Sequence, residues 1–279
     1  MKNIGIIGGS GVYQIDGIEL KEKIQVQTPF GEPSAPIALL TYQGNDFYFL
    51  PRHGKNHHLL PSEINYQANI FALKKLGVEY LVSFSAVGSL KEELPPTTFF
   101  LPDQFIDWTK GKRARSFFGQ GIVGHVSVAY PVDKTLQNIC YESCVEADVA
   151  CAKDGSYICI EGPQFSSRAE SEIYRGFGAS VIGMTNVPEV FLAKEAGIAY
   201  STVAMVTDYD CWKEHHCTVD EIMKVAAQNT SKAKEVMKIL IPKLVSNKFD
   251  FEKENKFGVL TPRELMTGDQ KELVDLLLK

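Results

Sequence analysis

Short apolar, β-branched runs alternate with stretches of helical spacing along most of the chain. Residues 3–8 read as a strand that ends in glycines, within "IGIIGGSGV" over 4–12. Residues 36–42 and 46–51 have strand composition on either side of "QGN", a hairpin pattern. Over 64–76, Ile64, Ala68, Phe71, Ala72 and Leu76 fall on one helical face, and Gly77 stands where a C-terminal cap belongs. A buried strand is expected over 80–84, leading into "SAVGS".

The second half repeats the pattern. Residues 157–160, 181–184 and 198–206 read as strands. Ser167-Arg-Ala-Glu170 is a capping box that opens a helix reaching Gly178. Asn186-Val-Pro-Glu189 has the N-cap, early proline and acidic first turn of another helix, and Thr218-Val-Asp-Glu221 caps a long one running toward Lys238. This alternation predicts a single α/β domain with a mixed, mostly parallel central sheet flanked by helices. Residues 1–245 form that domain. Residues 246–279 are a charged tail and an amphipathic helix near 262–278, expected to pack on it.

Composition narrows the class. The 279 residues are 44% hydrophobic and 23% charged, ordinary for a chain with a full core. A net charge of −5 argues against a broad nucleic-acid footprint. The densest basic stretch, Lys110-Gly-Lys-Arg-Ala-Arg115, reads as a solvated loop. No apolar run approaches the roughly 20 residues that span a bilayer, and the start is too brief for a secretory signal, so a cytoplasmic protein is expected. Cys140, Cys144, Cys151, Cys159, Cys211 and Cys217 contain no C-x-x-C pair and read as reduced packing thiols.

The glycine loop raises the question of an anion. A dinucleotide fingerprint needs a third glycine and an acidic residue about 20 positions on. Here Gln14 stands at the third glycine's position, and no G-K-[ST] offers a phosphate loop. What remains is a strand followed by glycines and the Ser10 hydroxyl, either a tight turn or a single-phosphate site. Arg52 and His53 follow one strand and Ser85 ends another, placing anion-binding groups at several strand ends. His53 and His57 have the spacing of a metal pair, but Gly54 disfavours a helix there and no third ligand is evident; no metal is expected.

These residues, with "TPFGEPSAP", "RHG", "NYQANIFALK", "EGPQFSSRAES", "MTNVPEVFLAKEAGI" and "TDYDCWKEH", resemble the 5′-methylthioadenosine phosphorylases. That family belongs to the trimeric branch of the purine nucleoside phosphorylases. The resemblance runs from Ile4 to about Leu240 and implies the nucleoside phosphorylase fold. It also implies phosphate-dependent cleavage of 5′-methylthioadenosine to adenine and 5-methylthioribose 1-phosphate. No cofactor is implied, since inorganic phosphate is a co-substrate. The nearest alternative is a sister enzyme acting on methylthioinosine, inosine, guanosine or adenosine.

Residue by residue, the resemblance assigns phosphate binding to Ser10, Arg52, His53, Ser85, Ala86 and Thr185. Arg52 is expected to offer its forked guanidinium to phosphate oxygens. Asp208 is implied as the proton donor to the purine N7, and both it and Asp210 accept from the 6-amino group. On spacing alone, two acids at i and i+2 after a strand also fit a turn or an N-cap. Phe165 and Ser166 are implied at the base, and Met184 against the ribose. His57, Val219, Ile222 and Met223 are implied at the 5′ substituent. His125 is implied to reach across from a neighbouring subunit of a homotrimer or a dimer of trimers. Family members often have Thr where Ser10 and Ser85 stand, and Arg where Gln164 stands.

Overall fold

The computed structural model describes residues 3–9, 15–214, 218–247 and 249–279. Its centre is a strand built almost entirely of buried residues, β5 (Val78–Ser89), preceded along the chain by β1 (Asn3–Gly8), β2 (Ile18–Ile24), β3 (Ile37–Tyr42), β4 (Asn45–Pro51) and α1 (Tyr66–Lys75). The hairpin around "QGN" joins β3 to β4 with Tyr42 opposite Asn45. Beyond β5 the chain forms β6 (Phe99–Leu101), β7 (Gln104–Trp108), α2 (Lys134–Glu146), β8 (Cys151–Lys153), β9 (Ser156–Ile160) and α3 (Arg168–Gly176). It continues through β10 (Val181–Gly183), α4 (Asn186–Glu195), β11 (Ala199–Asp208), α5 (Val219–Ser246) and α6 (Gly268–Leu278).

The sheet forks at β5. Its first part lies between β1 and β11, parallel to both, while Gly88, still paired with β11, and Ser89 pair antiparallel with β10. The branch continues as β10–β9–β7, each pair parallel. Successive β5 side chains face opposite cores, as the period of two requires. Tyr80, Val82 and Phe84 join the core under α2 and α5, whereas Leu81 and Val87 join the one under α1 and α4. Every residue from Ala199 to Thr207 of β11 is buried, the run expected of a parallel strand covered on both faces.

Local signals act as the sequence implies. Ser167 and Thr218 both close capping boxes, with Glu170 and Glu221. Asn65 caps α1 by accepting from the Ala68 N–H. α5 is longer than expected, running through Pro242 to Ser246. The tail folds over the domain: Asn255 donates to the carbonyls of Glu195 and Leu277, and Leu277 is wholly buried.

Two readings need correction. Asn186 is not an N-cap. Its amide is buried and donates to Ser83 Oγ, Tyr200 Oη and Thr202 Oγ1, while Thr185 holds the cap position. The basic stretch 110–115 is not wholly solvated either. Arg113 is buried, with Nε on Glu161 Oε1 at 2.9 Å, Nη1 on the Val187 carbonyl at 2.6 Å and the Tyr66 ring beneath it. A guanidinium enters the interior when a carboxylate and carbonyls meet its fixed donors. No described helix is long and apolar enough to cross a membrane.

Candidate active site

The carboxyl ends of β1, β4, β5, β10 and β11 open into a cavity of about 820 Å³. Gly9, Arg52, His53, His57, Ser85, Ala86, Phe165, Ser166, Met184, Thr185, Asp208, Asp210, Ile222 and Met223 all border it. Ser10 lies outside the described residues. His125 stands on an exposed loop beyond the cavity, its N–H bound to the Gly258 carbonyl. Val219 is also beyond it. It shares the helical face of Ile222, Met223 and Ala226 but sits at the first turn of α5, past the rim, and is 63% exposed.

At one end of the cavity are hydroxyls. Ser85 Oγ lies 3.3 Å from Thr185 Oγ1 and 3.3 Å from the phenol oxygen of Tyr157. His53 is beside them, its Nδ1 2.8 Å from the Leu59 carbonyl. Burial, with a smaller contribution from Arg52, lowers its pKa to about 4. The ring is therefore neutral, Nδ1–H donates to Leu59, and Nε2 is left as an acceptor. His57 stacks on His53 at 4.3 Å.

Arg52 corrects the expectation of a free fork. Its Nε donates to Glu189 Oε2 at 2.7 Å and its Nη2 to Glu189 Oε1 at 2.9 Å. Nη2 also donates to Ser83 Oγ and Nη1 to the Phe84 carbonyl. Among the described residues these contacts take four of the five N–H groups, and one remains. The reason is burial: a guanidinium 2% exposed needs a carboxylate to offset its desolvation, and Glu189 supplies it.

At the other end are the two aspartates. Asp208 is the last residue of β11, paired with Gly88 across a bulge, and its Oδ1 accepts from Thr207 Oγ1 at 2.6 Å. Burial raises its pKa above the usual carboxylate range, and the nearby charge of Asp210 adds to the rise. Burial raises Asp210 as well. Gly88 makes the approach possible, since a Cβ there would lie 3.3 Å from Asp208 Oδ2 and 3.1 Å from the Ile182 side chain. Between the two ends the walls are apolar: Phe165, Ile160, Met184, Met205 and Ile222. Among the described residues no group of three His, Cys, Asp or Glu is placed to hold a metal ion.

Sequence reasoning passed over Glu189, Tyr157 and Asn229. Glu189 was read as a first-turn acid, and nothing local pointed it at Arg52. Asn229 carried a readable sign: it lies four residues before Ala233 on the buried line of α5. Its Nδ2 donates to the Val206 carbonyl beside the cavity.

A mixed, mostly parallel sheet forked at β5, with hydroxyls at one end of a strand-edge cavity and paired carboxyls at the other, makes this an α/β protein with a site for an anion beside a proton-donating pair. The chain belongs to the phosphorylase superfamily, whose family model matches residues 3–242. It is 44% identical to the S-methyl-5′-thioadenosine phosphorylase of Geobacter sulfurreducens, over 99% of this chain and 97% of that protein. It is 53% identical to the enzyme of the same name from Bradyrhizobium diazoefficiens, over 84% and 81%. The crystal structure of a methylthioadenosine phosphorylase from an antarctic soil metagenomic library superposes with a TM-score of 0.95 at 44% identity, covering 100% of this chain and 99% of that one. A Schistosoma mansoni methylthioadenosine phosphorylase in complex with adenine gives 0.84 at 34% identity, covering 89% and 93%.

Proposed function

We propose that the protein cleaves S-methyl-5′-thioadenosine with inorganic phosphate, releasing adenine and 5-methylthioribose 1-phosphate. The reading rests on one arrangement: a cavity with two pKa-raised aspartates at one end and an anion-type hydroxyl cluster at the other. Phosphate lies at Ser85, Thr185, the Ala86 backbone and Ser10, with the spare N–H of Arg52 toward it. His53 Nε2 accepts the one proton of a monohydrogen phosphate dianion. The ribose packs on Met184 and the purine on Phe165, near Ser166.

A phosphate oxygen attacks C1′ as the C1′–N9 bond breaks. The electron pair of that bond goes to the purine, and Asp208, whose burial favours the protonated form, delivers a proton to N7 so that neutral adenine leaves. Asp210 accepts from the 6-amino group, which a 6-oxopurine lacks. At the 5′ side Ile222, Met223 and His57 meet the methylthio group. No cofactor takes part.

The enzyme works as a homotrimer, alone or paired, in the cytoplasm, returning adenine and the methylthioribose skeleton to purine and methionine salvage. Support for the oligomer comes from bare apolar surface at the cavity's mouth and just past it: Phe165 and Met223 at the rim are 64% and 62% exposed, and Val219 beyond it is 63% exposed. A neighbour bringing His125 and an apolar edge would cover them.

The test is product formation on methylthioadenosine, adenosine, methylthioinosine and inosine, each with and without phosphate. Phosphate-dependent adenine release, fastest on methylthioadenosine, is expected. Release in phosphate-free buffer, or a preference for inosine, refutes the proposal.

A further inference from the structure

Tyr157 lies beneath the cavity floor, wholly buried on β9, and does not border the cavity itself. Its ring packs at 5.4 Å from that of Phe105. Its phenol oxygen, however, reaches the hydroxyl end of the site from below, 3.3 Å from Ser85 Oγ. The oxygen also fills the space above Gly183: a Cβ built there would stand 1.9 Å from it and 2.6 Å from the Cζ that carries it. A side chain at 183 and the phenol at 157 exclude one another.

Hydrogen-bond accounting gives this contact a direction. Either hydroxyl could donate in this contact, and among the described residues Ser85 Oγ is the acceptor within reach of the phenol proton, so the phenol donates to it. Burial holds the Tyr157 pKa well above its ordinary value, so the phenol remains a donor at every working pH. Ser85, with an acceptor lone pair filled from below, turns its proton outward. Its neighbours there are Thr185 Oγ1 at 3.3 Å, as far as the phenol, and the Ala86 carbonyl at 3.5 Å, so an anion at a shorter distance can take the proton. With its one proton given to His53, the phosphate dianion offers this end of the cavity only acceptors, which are met by hydroxyls oriented as donors.

We infer that Tyr157 is a positioning residue for the phosphate nucleophile, holding Ser85 so that the serine hydroxyl donates to the anion. The inference rests on the phosphorolysis proposed above and extends it to a residue outside the cavity. Tyr157 touches neither substrate and acts through Ser85.

Steady-state kinetics of Tyr157→Phe, with each substrate varied in turn, tests it. The ring and its contact with Phe105 remain, so the variant keeps the fold. The expected result is a rise in the KM for phosphate of roughly three- to tenfold, the scale of one hydrogen bond. The KM for methylthioadenosine and the kcat at saturating phosphate should change less than about twofold. In a Ser85→Ala background Tyr157→Phe should add almost nothing, since its route is gone. An unchanged phosphate KM, equal rises for both substrates, or full additivity with Ser85→Ala overturns the role. Wild-type turnover without phosphate is a separate outcome, read in the control, and removes the nucleophile together with the residue that would position it.

Discussion

Arg52 and Glu189, 137 positions apart in sequence, form a buried two-pronged ion pair, with contacts of 2.7 and 2.9 Å beneath the hydroxyl end of the cavity. Tyr200 donates to the same carboxylate at 2.9 Å. The pair ties the end of β4 to the first turn of α4 and holds both against β5 through Ser83 and Phe84. Removing one partner strands the other charge in the interior. Glu189→Leu is therefore expected to destabilise the protein by about 3–5 kcal/mol, measured as a lower denaturation midpoint in urea. Pairing it with Arg52→Met should recover most of that stability. A Glu189→Leu midpoint equal to wild type would mean the pair holds nothing.

Asp208→Asn separates the acid from its carboxyl shape. Adenine release should fall at least about a hundredfold, within the range of a lost general acid, while phosphate binding, followed by its thermal shift, persists. Stability should move the other way. Because the folded-state pKa of Asp208 is raised, the folded protein binds more protons than the unfolded chain between the two pKa values, and stability falls as pH rises through that window. At neutral pH the buried charge is a cost that the amide removes, so the melting temperature should rise. A variant with both full activity and an unchanged melting temperature would contradict both statements.

The same acid sets a pH dependence of rate. The protonated form is the donor, so kcat should decline as pH increases through the pKa of Asp208 in the complex. That alkaline limb should vanish in the residual activity of Asp208→Asn. A limb of identical position in the variant would assign it to another group.

His53 titrates oppositely. Its pKa is lowered from 6.5 to about 4 in the folded protein. The unfolded chain therefore takes up a proton first as pH falls. The stability this ring contributes is full above about 6.5 and is lost as pH drops toward about 4. Nitrogen NMR of the ring should give a midpoint near 4 without phosphate and a higher one with it, since a dianion favours the imidazolium. A midpoint near 6.5 in the free protein would show a solvated ring.

Ile222 borders the cavity and Val219 does not. Ile222→Asn should weaken methylthioadenosine more than adenosine, by roughly tenfold or more in kcat/KM, the usual cost of misplacing an apolar group in its pocket. Val219→Asn, outside the cavity, should affect the two substrates alike. Equal losses on both substrates for Ile222→Asn would move the 5′ substituent elsewhere.

Much of this molecule was legible in its residues, and the limits have physical causes. Strong local signals, such as the capping boxes at Ser167 and Thr218 and the apolar run of β11, held because they are decided within a few residues. Arg113 and Asn186 were misread because their polar groups are satisfied by partners far along the chain, at Glu161, Val187, Ser83 and Tyr200. The cavity gathers most of the residues that the family motifs pointed to. Motifs did not say that the Arg52 fork faces inward, because its acceptor comes from a helix whose packing only the fold reveals.

The middle strand also serves as a ruler. Ser83 supports the ion pair, Ser85 meets the hydroxyl cluster, and Gly88 lies against Asp208. At about 3.3 Å per residue, three steps of strand put about 10 Å of backbone between Ser85, at the hydroxyl end, and Gly88, which lies against the acid that would protonate the departing base. Inserting one residue between 85 and 88 would lengthen that gauge and turn every later side chain to the opposite layer. The span over which bond making and bond breaking are coordinated is thus written in the count of residues along a single stretch of backbone.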